Sequence, residues 1–129
     1  GHPEGDTLLQ RIGQTLAAYG DEHGIDIGRI GGEEFLAVWN ESSVEHCVCV
    51  AEDLRSAIEQ MGIPHRTASD HPIVTFSVGL CMLPPASARR SYFYADKALY
   101  RAKDAGKNCC CRYDAETGEY VLIRSRRKQ

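Results

Sequence analysis

Apolar and polar positions along the chain change period several times, and each change marks an element. Leu8, Leu9, Ile12 and Leu16 recur at helical spacing within residues 6–19, and Gly20 closes that pattern. Residues 25–30 and 34–39 are two short runs rich in Ile, Val, Phe and Trp, with Gly31-Gly32 between them. Adjacent glycines tolerate positive φ at both turn positions, so the pair predicts a tight β-hairpin. Ser42 or Ser43 is then placed to cap a long helix. Its buried stripe reads Val44, Cys47, Val48, Ala51, Leu54, Ile58 and Met61, and Gly62-Ile63-Pro64 stops it.

Residues 64–71 are polar and read as loop or edge strand, whereas residues 73–82 form a strong strand pattern. Pro84-Pro85 breaks the chain, and a third helix is predicted over residues 88–105, ended by Gly106. Residues 109–113 and 119–123 make a last hairpin around Glu116-Thr117-Gly118. The order helix, hairpin, helix, strand, helix, hairpin predicts an α+β layer with helices packed on a largely antiparallel sheet. Residues 124–129 are basic and read as a solvated tail in preference to an anion-binding arm.

Composition narrows the class without choosing a function. At 129 residues there is room for one domain, and 43% hydrophobic with 26% charged residues excludes a disordered or fibrous chain. A net charge of −3 argues against a general nucleic-acid binder. The best apolar run, residues 73–83, falls well short of the roughly 20 residues of a membrane span. With no signal-peptide pattern either, the expected location is cytoplasmic. The chain opens on Gly1 without an initiator Met and reads as a piece of something longer. The six cysteines, Cys47, Cys49, Cys81 and Cys109-Cys110-Cys111, include no C-x-x-C pair. They are expected as small buried or half-buried side chains, with metal or redox roles as the alternative.

Gly31-Gly32-Glu33-Glu34-Phe35 is the most informative segment. Bare backbone at a hairpin tip lets a bulky ligand such as a nucleotide approach without meeting a Cβ. Two carboxylates beside a phosphate site suit Mg²⁺, which takes hard oxygen ligands. In a regular strand Glu33 and Glu34 point to opposite faces, so one metal site uses one of them and needs another carboxylate from elsewhere. From spacing alone, a plain hairpin with two exposed acids is the simpler reading.

Residues 28–35, G-R-I-G-G-E-E-F, resemble the signature of the GGDEF family, the diguanylate cyclases, in its variant with Glu at the third position. Three further elements follow the family's order. The opening G-H-P-E-G-D is similar to its G-H-x-x-G-D, and V-T-F-S-V-G (residues 74–79) resembles its later core strand. A-D-K-A-L-Y-R-A-K-D-A-G-K-N (residues 95–108) is similar to its A-D-x-A-L-Y-x-A-K-x-x-G-R-N element. The resemblance implies a palm-like, ferredoxin-like-related α+β domain, partial over residues 1–123 and lacking the family's N-terminal strand and helix. Residues 124–129 then form the basic tail.

The same resemblance implies condensation of two GTP into cyclic di-GMP with release of pyrophosphate, across a homodimer in which each 3′-hydroxyl attacks the other α-phosphate. Glu33 would be the Mg²⁺ (or Mn²⁺) ligand and base for the 3′-hydroxyl, with Glu34 supporting catalysis. Gly31 and Gly32 would let the nucleotide lie against the hairpin, and Asp6 would accept from guanine N1–H and the 2-amino group. Lys103 and Lys107 would hold the terminal phosphates. Partners implied are GTP, a second copy of the chain and an upstream sensory or regulatory domain, with no nucleic acid and no membrane segment in this chain.

Each residue also has a plainer reading. Asp6 suits a helix N-cap, Lys103 a helix C-terminus, Lys107 and Arg29 the solvent-facing surface, and Asp96 a cap or ion pair. His2, His23, His46, His65 and His71 form no ligand cluster, and His2 suits a turn-stabilising role.

Three departures from the family pattern matter. Lysine at position 107 stands where the family has arginine, keeping charge but losing the two-pronged grip. The positions of the family's inhibitory R-x-x-D product site are Glu22 and Ile25, with Asp26 one residue out of register, so no product inhibition through that site is expected. The family's upstream strand, with its metal-binding Asp and guanine-reading Asn, does not occur in the sequence, so the 129-residue chain alone is expected to be inactive and to expose a sheet edge or an unfilled core unless a partner chain covers it. The rival reading is a degenerate, non-catalytic GGDEF module that binds nucleotide or a partner protein in a regulatory role.

Overall fold

The computed structural model describes residues 3–65 and 72–124; the side chains of residues 3–6 and of residue 85 lie outside that description. The chain divides into two units, Gly1–Asn40 and Glu41–Gln129.

In the first unit a helix, α1 (Pro3–His23), precedes an antiparallel hairpin of β1 (Asp26–Gly31) and β2 (Glu34–Val38). The helix runs beyond the predicted residues 6–19 at both ends, and Gly20 does not stop it. The stop is Gly24, at φ 69°, with the Ile25 N–H donating back to the Gly20 carbonyl at 2.9 Å. A left-handed residue after the last turn is what allows this backward bond. Gly20 serves a different need. A Cβ there would collide with the Ile25 carbonyl and stand 3.3 Å from the Ile27 side chain, and one at Gly13 would lie 3.5 Å from the Phe35 ring. One bare stripe, two turns long, therefore seats the hairpin close beneath α1, with Ile12, Leu16 and Ile25 buried alongside.

In the second unit α2 (Val44–Gln60) is followed by β3 (Val78–Cys81), a short 3₁₀ turn (Pro85–Ser87), α3 (Ala88–Asp104), β4 (Cys110–Asp114) and β5 (Glu119–Ile123). Of the two predicted caps, Ser43 is the one used, its Oγ accepting the His46 N–H at 3.1 Å. β3 and β4 pair in parallel, because α3 carries the chain back across the sheet; β4 and β5 pair antiparallel as a hairpin. The described strands thus form one antiparallel pair and one mixed three-stranded sheet ordered β3-β4-β5. The α+β class follows from these elements and is compatible with a palm-like fold.

The strand pattern of residues 73–82 becomes a ladder only over Val78–Cys81. Its partner strand cannot extend further back, since Lys107 and Asn108 sit at φ 65° and 49°. The preceding residues are held differently, by a bridge between Pro64 and Ile73 and by the Val74 N–H donating to the Ile63 carbonyl at 2.7 Å. The loop or edge strand expected at residues 64–71 lies largely outside the described residues, as do residues 125–129 of the basic tail.

Both faces of β4 are covered. Cys111 packs with Ala98 and Ala102 of α3, while Cys110 lies beside Glu52 of α2. Period-2 alternation thus buries adjacent cysteines in opposite directions. Cys47 is buried too, Cys81 and Cys109 are half-buried, Cys49 is exposed, and all six thiols are free. No helix among the described residues is long and apolar enough to cross a membrane.

Candidate functional site

The hairpin tip is tighter than its sequence suggests. Gly31 is not a turn residue: it pairs with Glu34, after a bulge between Arg29 and Gly31, and leaves Gly32-Glu33 as the turn. Gly32 sits at φ 52° and Gly31 at φ 156°, and a Cβ on either would meet nothing within 4 Å. The glycines answer a backbone requirement, and the space over them stays open for another molecule's atoms. Glu33 therefore stands in the turn and not in a strand, so the alternation expected for Glu33 and Glu34 does not apply. Glu34 is the first residue of β2, and both carboxylates are exposed.

Arg29, read from the sequence as merely solvent-facing, has a local task. Its Nε donates to the Gly32 carbonyl at 2.8 Å, a clasp across the turn that carries Glu33. An arginine three residues before the tip was the available signal, and its alternation with apolar neighbours concealed it.

The other residues of interest sit at the ends of helices. Asp6 lies inside α1, which begins at Pro3, so its backbone does not occupy the N-cap position; its side chain lies outside the described residues. Lys103 is in the last turn of α3, where the helix dipole favours a cation, and Lys107 follows the helix stop. Both lysines are exposed and belong to the second unit, whereas Glu33 and Glu34 belong to the first.

Asn108 and Arg55 escaped the sequence reading. Arg55 is only 3% exposed. Burial alone disfavours its charge, but hydrogen bonds and ion pairs from Glu52 and Glu59 more than offset this and raise its pKa above the ordinary arginine value. Its NH1 also donates to Asn108 Oδ1 at 2.8 Å. A lone arginine on the stripe between Ala51 and Ile58, with carboxylates at i−3 and i+4, was a visible sign of a buried charge. Its partner 53 positions away was not.

As a metal site the hairpin offers part of a set. Glu33 and Glu34 supply the hard oxygen donors that Mg²⁺ takes. Among the described residues, no group of three or more His, Cys, Asp or Glu is gathered in metal-binding range. The donor chemistry fits the cation, and the hairpin needs a further ligand to complete it.

The GGDEF family profile, described as "Diguanylate cyclase, GGDEF domain", matches residues 1–109. The chain belongs to the GGDEF family. Similar proteins include diguanylate cyclase A of Treponema denticola, 29% identical over 108 residues, which are 84% of this chain and 29% of that protein. A diguanylate cyclase of Vibrio cholerae is 30% identical over 117 residues, 91% of this chain and 36% of its own length. Diguanylate cyclase DosC of Shigella sonnei is 34% identical over 110 residues, 84% of this chain and 23% of its own. The match thus covers roughly a quarter to a third of the length of these curated relatives.

Proposed function

We propose that the chain is the catalytic part of a diguanylate cyclase, condensing two GTP into cyclic di-GMP and pyrophosphate as a homodimer with one GTP per protomer. The single observation that carries this reading is the intact Gly31-Gly32-Glu33-Glu34-Phe35 string, set at a clasped turn with open space over its glycines. Phosphoryl transfer of this kind depends on positioning and on charge placed where charge develops.

In this reading the glycine backbone lets the nucleotide lie against the tip. Asp6 accepts from the guanine edge, and Lys103 and Lys107 hold the terminal phosphates. The Glu33 carboxylate receives the proton of the attacking 3′-hydroxyl, with Glu34 beside it. These residues would also hold Mg²⁺ or Mn²⁺, which when bound neutralises charge on the transferring phosphoryl group. The activity is proposed for the full-length protein, because the described residues gather no further carboxylate at the hairpin. Ile25, where the family's product-site carboxylate would stand, is buried in the first unit's core and supports the absence of that inhibitory site.

The test is incubation of the full-length protein with GTP and Mg²⁺, following cyclic di-GMP and pyrophosphate. Glu33→Gln should lower the rate by at least about 100-fold while the protein stays folded. GTP bound without turnover by the unaltered protein would instead identify a regulatory, non-catalytic module.

A further inference from the structure

The segment after α3 has a backbone that its residue types do not explain. Gly106, Lys107 and Asn108 all take positive φ, at 121°, 65° and 49°. Glycine does so freely; a lysine does so at a cost, and asparagine is the better tolerated of the two. Two backbone bonds wrap the helix end, Gly106 N–H to Lys103 O at 3.3 Å and Lys107 N–H to Ala102 O at 3.1 Å. This pair of backward bonds needs only the glycine in the left-handed region. The two further left-handed residues must be held by something else.

Asn108 is held on three sides. Its Oδ1 accepts from Arg55 NH1 at 2.8 Å, its Nδ2 donates to Glu59 Oε2 at 3.0 Å, and its N–H donates to Ser77 Oγ at 3.2 Å. Arg55 in turn is fixed by Glu52 and Glu59 at 3.1 Å each. The side-chain amide therefore uses both its acceptor and its donor on a charged, half-buried network anchored in α2. Lys107 is the next residue back, itself exposed, and its direction follows from the anchored backbone at Asn108.

We infer that Asn108 is a positioning residue: the Arg55–Glu59 pair grips it so that Lys107 is presented beside Lys103 to the phosphates of a nucleoside triphosphate. The inference rests on the proposed GTP reading and assigns to this network the geometry of its phosphate contact. Lysine has a flexible stem and no planar fork, so the backbone must supply the aim that an arginine would bring with it.

The experiment exchanges donor for acceptor in the full-length protein. Asn108→Asp keeps an acceptor for Arg55 but sets a carboxylate against Glu59. Adding Glu59→Gln restores the missing bond with its direction reversed, and the oxygen of the new amide still accepts from Arg55. Asn108→Asp should weaken binding of a non-hydrolysable GTP analogue by about tenfold, leave GMP binding unaltered, and be rescued in the double variant. Amide exchange at Lys107 should quicken in the single variant and return to normal in the double. Equal losses for the triphosphate and GMP, an unaffected triphosphate affinity, or no rescue each overturn the inference. If the unaltered protein binds no GTP, the functional reading fails and takes the phosphate role with it, while Lys107 exchange still reads whether Asn108 anchors the segment.

Discussion

Thiol reactivity in this chain is decided one side chain at a time. Burial pushes the Cys47 thiol up from 9.0 to about 11, with the Glu41 charge adding to it. Cys110 is driven higher still, first by burial and then by the Glu52 carboxylate. Only the thiolate reacts, so near neutral pH these side chains are protected both by access and by protonation. Brief alkylation of the folded protein should modify Cys49 first and leave Cys47, Cys110 and Cys111 unmodified, as read by peptide mass spectrometry. The sequence reading of small, buried or half-buried cysteines fits five of the six, and misses Cys49, because a helix at i+2 turns it away from Cys47. Arg55 shows the complementary blindness. Its place on the apolar stripe and the carboxylates that make burial tolerable were legible, but its contact with Asn108 comes from a distant loop.

At the scale of elements, caps and stops read well where a single residue type dictates them. Ser43, Gly62 and Gly106 mark helix ends close to where the spacing puts them. Gly20 misled for a physical reason: a glycine can be required by close packing as easily as by a turn, and sequence does not distinguish the two. Gly79 repeats the lesson in β3, where a Cβ would collide with the Ala95 carbonyl and the Leu99 backbone of α3. Backbone cannot yield as a flexible side chain does. Gly79→Ala should therefore cost about 3 kcal/mol, read as a lower urea midpoint. A small loss, below about 1 kcal/mol, would mean that α3 does not lie this close to β3. The shortened β3 ladder had no local signal at all, since its limit is set by the left-handed residues ahead of β4.

For the whole molecule, the family was legible because four motifs fall in order, and the profile match over residues 1–109 agrees. What was not legible is how the chain divides, since Glu33 and the two lysines belong to different units and no local pattern marks that boundary. The buried thiols also give stability a sign with pH. A group whose folded pKa is raised keeps its full contribution below the unfolded value and loses it as pH rises toward the folded one. For Cys47 that window runs from 9.0 to about 11. Urea midpoints should fall across it, and Cys47→Ala should flatten the fall; an equal slope in both proteins would remove Cys47 as its source.

The contact between Arg55 and Asn108 joins positions 53 apart along the chain. Closing so long a loop is an entropic cost met before any contact energy returns. The segment carrying Lys107 is therefore expected to acquire its shape late, whereas the hairpin carrying Glu33 closes over a short loop and is expected early. Substitutions at Asn108 should accordingly speed unfolding while scarcely slowing folding. In a newly made chain, the acidic tip should be formed before the segment carrying Lys107 has found its direction.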